Sequence, residues 1–336
     1  MQFFEKNNAI NAKSDAISIH KKGEEVVLNG NVRINRTDFF IYSNQSTIFQ
    51  KKNSIKSIGN AKTYKIFENG NYLNSISNSV FYSDFDKILE FNNIKKLDYF
   101  IKKDNRMINL ISKYLKLEQK KDKNFLNIRQ LKKLIIPFTE EKINDNQETA
   151  IIDGTNFVKA NNVYGYSNAI NDEILFVEMN KNVFLERKKS NNEYIKIIAD
   201  NLIYNKEKSI STINDIKEIN YIDENKNEYL IFCKNIVWDM ETDIIEFFGN
   251  PIIFQKKDKS YIINSKKAFF YNKDKIVLFF KKPVLFQEDE TGKGLYKAEK
   301  ILYYINEKII KFEDTVEIEF IQKNTKQKIE DKAENL

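Results

Sequence analysis

The sequence predicts a mainly β fold, built of stacked units of a sheet folded over on itself and interrupted by a short helical insert. Three observations carry this. A small residue recurs at Ser43, Ser77, Ala160, Ala199, Cys233, Ser265 and Ala298, in most cases three positions before an apolar one, in steps of 34, 83, 39, 34, 32 and 33 residues. A period of that size marks stacked structural units, with each unit burying its apolar face on its neighbours. Within a unit the apolar residues alternate, as they do in a strand with one buried face. Between the alternating runs lie short polar corners: Asn29-Gly30-Asn31-Val32, Gly59-Asn60-Ala61, Asn180-Lys181-Asn182-Val183, Gly249-Asn250-Pro251, Lys281-Lys282-Pro283 and Glu313-Asp314-Thr315-Val316.

The corners have a physical reason. Gly and Asn tolerate positive φ and suit a sharp bend in a strand. Pro251 and Pro283 fall just after a corner, where a lost backbone donor costs least. Aligning the units on their corners places one apolar set on a shared face. It comprises Val26, Leu28, Val32 and Ile34; Val177, Met179, Val183 and Leu185; Ile245, Phe247, Pro251 and Ile253; Val277, Phe279, Pro283 and Leu285; and Ile310, Phe312, Val316 and Ile318. The alternate face carries Asn29, Arg33, Glu178, Glu246, Lys311, Glu313 and Glu317, but also Phe248, Leu278 and Phe280. The shared face reads as the lining of the folded-over sheet, either filled by its own side chains or open to a ligand.

Between Ser77 and Ala160 the repeat breaks, and about 50 residues are extra to one further unit. Met107, Leu110, Ile111, Tyr114 and Leu115 follow the spacing of an amphipathic helix, with Asp104 or Asn105 as its cap. A second run, Phe125, Ile128 and Leu131, stops before Pro137. From Ile101 to Lys133 there are 11 Lys or Arg and 3 Asp or Glu, a balance of +8 against +7 for the whole chain. Such a helix either covers the sheet at the break with its lysines solvated, or lies on an anionic membrane surface or a partner. Nucleic acid is not expected, because aromatics are not interleaved with the lysines and the rest of the chain is near neutral. The organisation predicted is β repeats over 10–100, a basic, partly helical insert over 101–155, further β repeats over 156–322, and a polar disordered tail over 323–336.

Little catalytic chemistry is on offer. One His and one Cys leave no set for a zinc site, a Ser-His-Asp triad or a Cys-His dyad. His20 lies on a polar turn, and Cys233, alone and without a disulfide partner, takes the small-residue slot of its repeat. Asp84 and Asp86 share a face in a turn and read as solvated; sugar-cleaving β-helices do use carboxylate pairs, so these two define the enzymatic alternative. Trp238 takes an aromatic slot held elsewhere by Tyr82, Tyr204 and Tyr271. No Gly-rich phosphate loop is present and no cofactor is expected.

The stretch Glu24 to Tyr64 resembles the OstA-like domain shared by lipopolysaccharide-transport proteins. The resemblance lies in the apolar strand Val26 to Leu28, the corner Gly30-Asn31-Val32, Asp38, Ser43 and the second corner Gly59-Asn60-Ala61; a second match runs from Ala160 to Phe320. Together they cover about two thirds of the chain. What the resemblance implies is a long antiparallel β-jellyroll, V-shaped in section, whose apolar groove shields lipid acyl chains. It implies a non-enzymatic periplasmic carrier or bridge between inner and outer membrane for lipopolysaccharide or another envelope lipid. Lipid-binding residues would be Val26, Leu28, Val32, Ile34, Val177, Met179, Val183, Leu185, Ile245, Phe247, Ile253, Val277, Phe279, Leu285, Ile310, Phe312, Val316 and Ile318. Open terminal strands would pair with the same protein or with family partners. About 8 units of two strands at ~4.8 Å per strand would give a rod of roughly 75 Å. No run reaches a membrane span. Met1-Gln-Phe-Phe-Glu shows no signal peptide, so a periplasmic location implies a trimmed signal or an incomplete start. The rival expectation is a structural β-solenoid with a fully packed interior and edges that assemble into filaments.

Overall fold

The computed structural model describes residues 10–322 except 68, 144–148, 169–172, 224, 257–260 and 289–291; the predicted disordered tail lies outside the described residues. Among the described residues there are 24 strands, one 3-10 turn at Lys21–Gly23 and no α-helix. Every pairing between strands is antiparallel. The chain divides into two compact units. The first is Met1–Asn191 with Asp200–Lys208, and the second is Asn192–Ala199 with Ser209–Leu336.

Unit 1 is a ladder of long strands, each paired to the next in sequence. These are β1 (Asn11–Lys13), β2 (Ala16–His20), β3 (Glu25–Asn35), β4 (Phe39–Phe49), β5 (Ser54–Ile66), β6 (Tyr72–Ser83), β7 (Ile88–Ile101), β8 (Arg106–Lys120), β9 (Lys123–Ile143), β10 (Thr149–Asn168) and β11 (Ile174–Lys189); β1 and β2 both lie against β3. Each long strand bends once, where its register slips: between Asn29 and Val32, Ile58 and Ala61, Ile94 and Leu97, and at equivalent places in the rest. The bends are the predicted corners. Gly30, Asn31, Gly59, Asn60, Lys181 and Asn182 all have φ between 46 and 85°. That region is open to Gly and tolerable to Asn. Each strand thus has two wings, one before and one after its bend.

The small-residue slot sits at the inside of the bend. Ser43 is opposite Val32, Ser77 opposite Ala61 and Ile94, and Ala160 opposite Leu131. All three are buried. Their size lets two backbones turn together, and serine adds a second function. The hydroxyls of Ser43, Ser77, Ser112 and Ser265 each donate to the carbonyl two residues on, at 2.9 to 3.2 Å. Each bond satisfies a buried or half-buried hydroxyl locally at the bend.

The helical insert is not there. Residues 101–155 supply all of β8 and β9 and the start of β10, and the repeat runs through them. Ser112 is the missing slot, 35 residues after Ser77, buried, and followed by Leu115. The period-3.6 impression has a physical source. Inward residues in β8 are Ile108, Leu110 and Ser112, then Leu115 and Leu117, because the register slips by one residue at the bend. A period of two broken by one extra residue mimics helical spacing. Ile111, Tyr114 and Phe125 face outward. Pro137 does not end an element; β9 continues beyond it, opposite Thr155 of β10.

In unit 2 most strands are interrupted at the bend. One wing runs β13 (Ile210–Asn214), β16 (Asn235–Asp239), β17 (Ile244–Lys256), β18 (Tyr261–Tyr271), β19 (Ile276–Phe280), β22 (Lys300–Tyr304), β23 (Ile309–Glu313). The other begins with residues 194–198 of β12 (Tyr194–Asn205). It continues through β14 (Glu218–Ile222), β15 (Glu228–Phe232), the far halves of β17 and β18, β20 (Val284–Glu288), β21 (Gly292–Lys297) and β24 (Glu317–Gln322). β17 and β18 pass through the bend unbroken.

Candidate functional site

The site the sequence pointed to is the inner face of the bent sheet. In unit 1 that face is a continuous apolar cluster from Ile10 to Val183, drawn from both wings. Val26, Leu28, Val32 and Ile34 are each at most 1% exposed. Around them pack Ile41, Ile48, Ile55, Phe91, Leu115 and Ile128, also nearly inaccessible. Val177 and Met179 are half-buried against the same cluster and Val183 is buried, while Leu185 is half-buried. The lining here is filled by its own side chains.

The two wings of unit 1 are joined at their far ends by a charged cluster. Arg36, in the turn between β3 and β4, sits at the tip of one wing. Tyr82 and Asp84, at the end of β6, belong to the other. The buried Arg36 guanidinium donates to Tyr82 Oη at 2.7 Å and Asp84 Oδ2 at 3.3 Å, and pairs through both Nε and Nη2 with Asp38. Its carbon lies 4.7 Å from the Phe39 ring centroid and 5.3 Å from that of Tyr82, and those rings are 4.8 Å apart. Lys65 pairs with Asp38 and lies over the Tyr82 ring at 5.3 Å. Burial pushes the Asp38 carboxyl upward, but hydrogen bonds from Arg36 and Lys65 outweigh it and hold the carboxyl at about 2. Burial opposes ionisation of Asp84 too, and Tyr82 and Arg36 overcome it, so its pKa lies below the ordinary value. Burial raises the Tyr82 phenol strongly. Asp84 is therefore part of this latch and not a solvated turn residue, while Asp86 accepts from Ser83 at 2.8 Å.

Unit 2 has its own inner face. Val277, Phe279 and Leu285 are buried, with Ile236, Ala268, Ile301, Tyr303, Ile263 and Ile252. Tyr229 of one wing reaches Tyr303 of the other, hydroxyl to hydroxyl, at 3.5 Å, and Tyr261 lies beside Tyr303 with centroids 5.7 Å apart. Cys233 holds its small-residue slot, buried, with its thiol pushed up to about 12 by desolvation. Trp238 donates to Asp243 at 3.1 Å. The aromatic slot of the next repeat is Phe270, opposite Val277, whereas Tyr271 faces outward opposite Ile276.

Three predicted lining residues are placed differently. Ile253 points outward, opposite Asn264 and the exposed Phe232, and its neighbour Ile252 takes the inner position opposite Ser265. The Gly249 corner carries one residue more than the Asn29 corner, since β17 advances four positions from Phe248 to Ile252 while β18 advances two. One extra residue flips every side chain beyond it. Val316 and Ile318 keep the inner face but are 44% and 62% exposed, because β24 is the last described strand on its wing. Ile310 and Phe312 are half-buried on β23, with the Phe312 ring stacked on Tyr296 of the opposite wing at 5.4 Å. Ile245 and Phe247 are half-buried in β17.

Sequence reading missed the inner residues of β8 to β10: Leu110, Leu115, Ile128, Leu131, Leu134, Val158 and Val163. Their signal was Ser112 with Leu115 three positions on. It also missed the pairing of Arg36 with Asp84, 48 residues apart, for which the sequence holds no local signal. Among the described residues there is no group of three or more His, Cys, Asp or Glu that could hold a metal ion, and no helix long and apolar enough to cross a membrane.

No protein-family model matches the chain, and no curated protein matches it. Among solved structures, the chain is similar to LptH of Pseudomonas aeruginosa, described as the LptA-homologous periplasmic component of a lipopolysaccharide transport device. Identity is 14%, coverage 32% of this chain and 73% of that one, and the TM-score 0.27.

Proposed function

We propose that the chain is a non-enzymatic lipid-binding protein of the cell envelope, working in the periplasm as part of a bridge between the two membranes. In this reading it shields the acyl chains of lipopolysaccharide or a similar amphiphile. The observation that carries the reading is an exposed apolar row on the inner side of the last described strand of unit 2. On β24, Ile318 and Phe320 are 62% and 55% exposed, and Val316 just before the strand is 44% exposed. Phe320 lies opposite Gly294 and Ile318 opposite Tyr296, which places these two on the inner side of unit 2. Acyl chains are therefore taken at this open end, not along the filled interior of unit 1. Each CH₂ moved out of water contributes about 0.8 kcal/mol. Among the described residues β23 and β24 each pair on one side, and their other edges offer backbone groups to a further copy or to another envelope-transport protein.

One observation favours the rival: the packed interior of unit 1 is what a purely structural solenoid needs. One substitution separates the readings, and a second serves as the unfolding control. Ile318→Glu falls on an exposed position, so the fold should persist while lipid loading is lost. Phe279→Glu places an unpaired charge in a buried site and should unfold the protein in either reading. The experiment is native mass spectrometry of protein purified without detergent. A bound amphiphile, absent from the folded Ile318→Glu variant, supports carriage. A bare mass that stays bare after lipid extract is added back leaves the structural solenoid.

A further inference from the structure

The bend of unit 1 has an outer side, and it is lined with cations. Lys95, Lys113, Lys132, Lys159 and Lys181 stand beside the corners of five successive strands, β7 to β11. All five are exposed, as are Arg129 and Lys133 next to them. At ~4.8 Å per strand the row is about 19 Å long. Among the described residues, none of the seven is within ion-pair distance of a carboxylate. Lys95 donates to Asn60, Lys159 lies over the Phe157 and Phe184 rings, and Arg129 over Tyr114. Cations of the same strands away from the bend are matched, Lys116 and Lys120 by Glu118 and Lys123 by Glu207, and at the bend of β7 Lys96 is matched by Asp98. The excess charge of this stretch is thus gathered on one ridge, where neighbours repel within a Debye length and no carboxylate offsets them.

The surface beside the ridge is apolar. Ile111, Ile135, Phe157 and Phe184 face outward on adjoining strands, with Ile135 opposite Phe157 and the two Phe rings 5.8 Å apart. All four are half-buried. The geometry points to this ridge as a docking surface for an anionic lipid bilayer. Three features select a bilayer over a soluble polyanion. The cations sit on the outside of a bend, which meets a plane, and not in a channel that would track a strand. Nearly all are lysines, flexible point charges without the fork that grips one phosphate. Apolar side chains adjoin the row and can enter the headgroup layer while the lysine stems snorkel. The inference stands apart from lipid carriage in the interior, since it uses no inner-face residue.

The test is co-sedimentation of the full chain with vesicles of phosphatidylcholine, plain or with about a quarter phosphatidylglycerol, at low and near-physiological salt. Binding is expected only to the anionic vesicles, weakening as salt rises. Lys113→Gln, Lys132→Gln, Lys159→Gln and Lys181→Gln combined should weaken it at least about tenfold, because each juxtamembrane Lys contributes on the order of 1 kcal/mol. The charge-matched control combines Lys52→Gln, Lys56→Gln, Lys103→Gln and Lys121→Gln, all exposed and off the ridge, and should leave binding nearly intact. Phe157→Ser with Phe184→Ser should weaken vesicle binding and leave binding of inorganic polyphosphate unchanged. Equal losses in ridge and control variants, or no binding to anionic vesicles, would overturn the proposal. So would polyphosphate binding tighter than vesicle binding and indifferent to the two Phe substitutions.

Discussion

Arg36→Met tests whether the charged cluster holds the two wings of unit 1 together. The substitution keeps most of the side-chain volume and removes the charge. Deleting one partner of a buried ion pair costs about 3–5 kcal/mol when the other is left unpaired. Here each carboxylate retains a partner: Asp38 keeps Lys65, and Asp84 keeps Tyr82, Lys87 and Asn53. The expected cost is therefore nearer 2–3 kcal/mol. At about 1.4 kcal/mol per tenfold, that is roughly a 30- to 160-fold rise in local opening. Hydrogen exchange read by mass spectrometry on peptides spanning residues 32–43 and 72–83 measures it without assuming global two-state unfolding. The pH dependence supplies a second readout. Asp38 titrates at about 2 when folded, below its ordinary value of 3.8, a depressed carboxylate. Its contribution is present above the unfolded pKa and is lost as pH falls through the folded one, between about pH 4 and 2. Wild-type protection in these peptides should fall across that window, and Arg36→Met should flatten the fall. A variant that exchanges like wild type at neutral pH, or that keeps the full acid dependence, would refute the latch.

Ser112→Ala removes the donor to the Tyr114 carbonyl at a buried bend and should destabilise unit 1 by about 1–2 kcal/mol, seen as faster exchange in β8; no change would mean the carbonyl is otherwise satisfied. Cys233, with its thiol at about 12, should resist iodoacetamide at pH 8.5 and react only once denaturant opens unit 2. Rapid labelling of the native protein would show that the slot is not buried. Lys282 holds a φ of 60° at a corner. Lys282→Gly should raise the thermal midpoint, relieving on the order of 1 kcal/mol of left-handed strain less the entropy cost of glycine.

Legibility differed between elements for definite reasons. The corners at Asn29 and Lys181 were readable because positive φ restricts residue choice at the position itself. The slots at Ser43 and Ser265 were readable because close approach of two backbones excludes large side chains. The lining of β3 was readable because its corner carries one fixed offset. Ile253 was misplaced because the next corner type is one residue longer, and a period-two pattern has no memory of register across a bulge. β8 and β9 were read as helix because the same offset imitates 3.6-residue spacing, and the +8 charge of the stretch reinforced that reading.

From its residues alone, then, this chain determined a repeating bent sheet with one apolar inner face, because backbone conformation and alternation are local properties. Tertiary structure alone decided three things. It decided that the inner face of unit 1 is filled and that, in unit 2, the inner residues of β24 are exposed, since filling depends on what neighbouring strands bring. It decided that Arg36 meets Asp84 across the wings, and that lysines from five strands form one unmatched ridge. Each of these joins residues far apart in sequence, and only the pairing register sets which of them become neighbours.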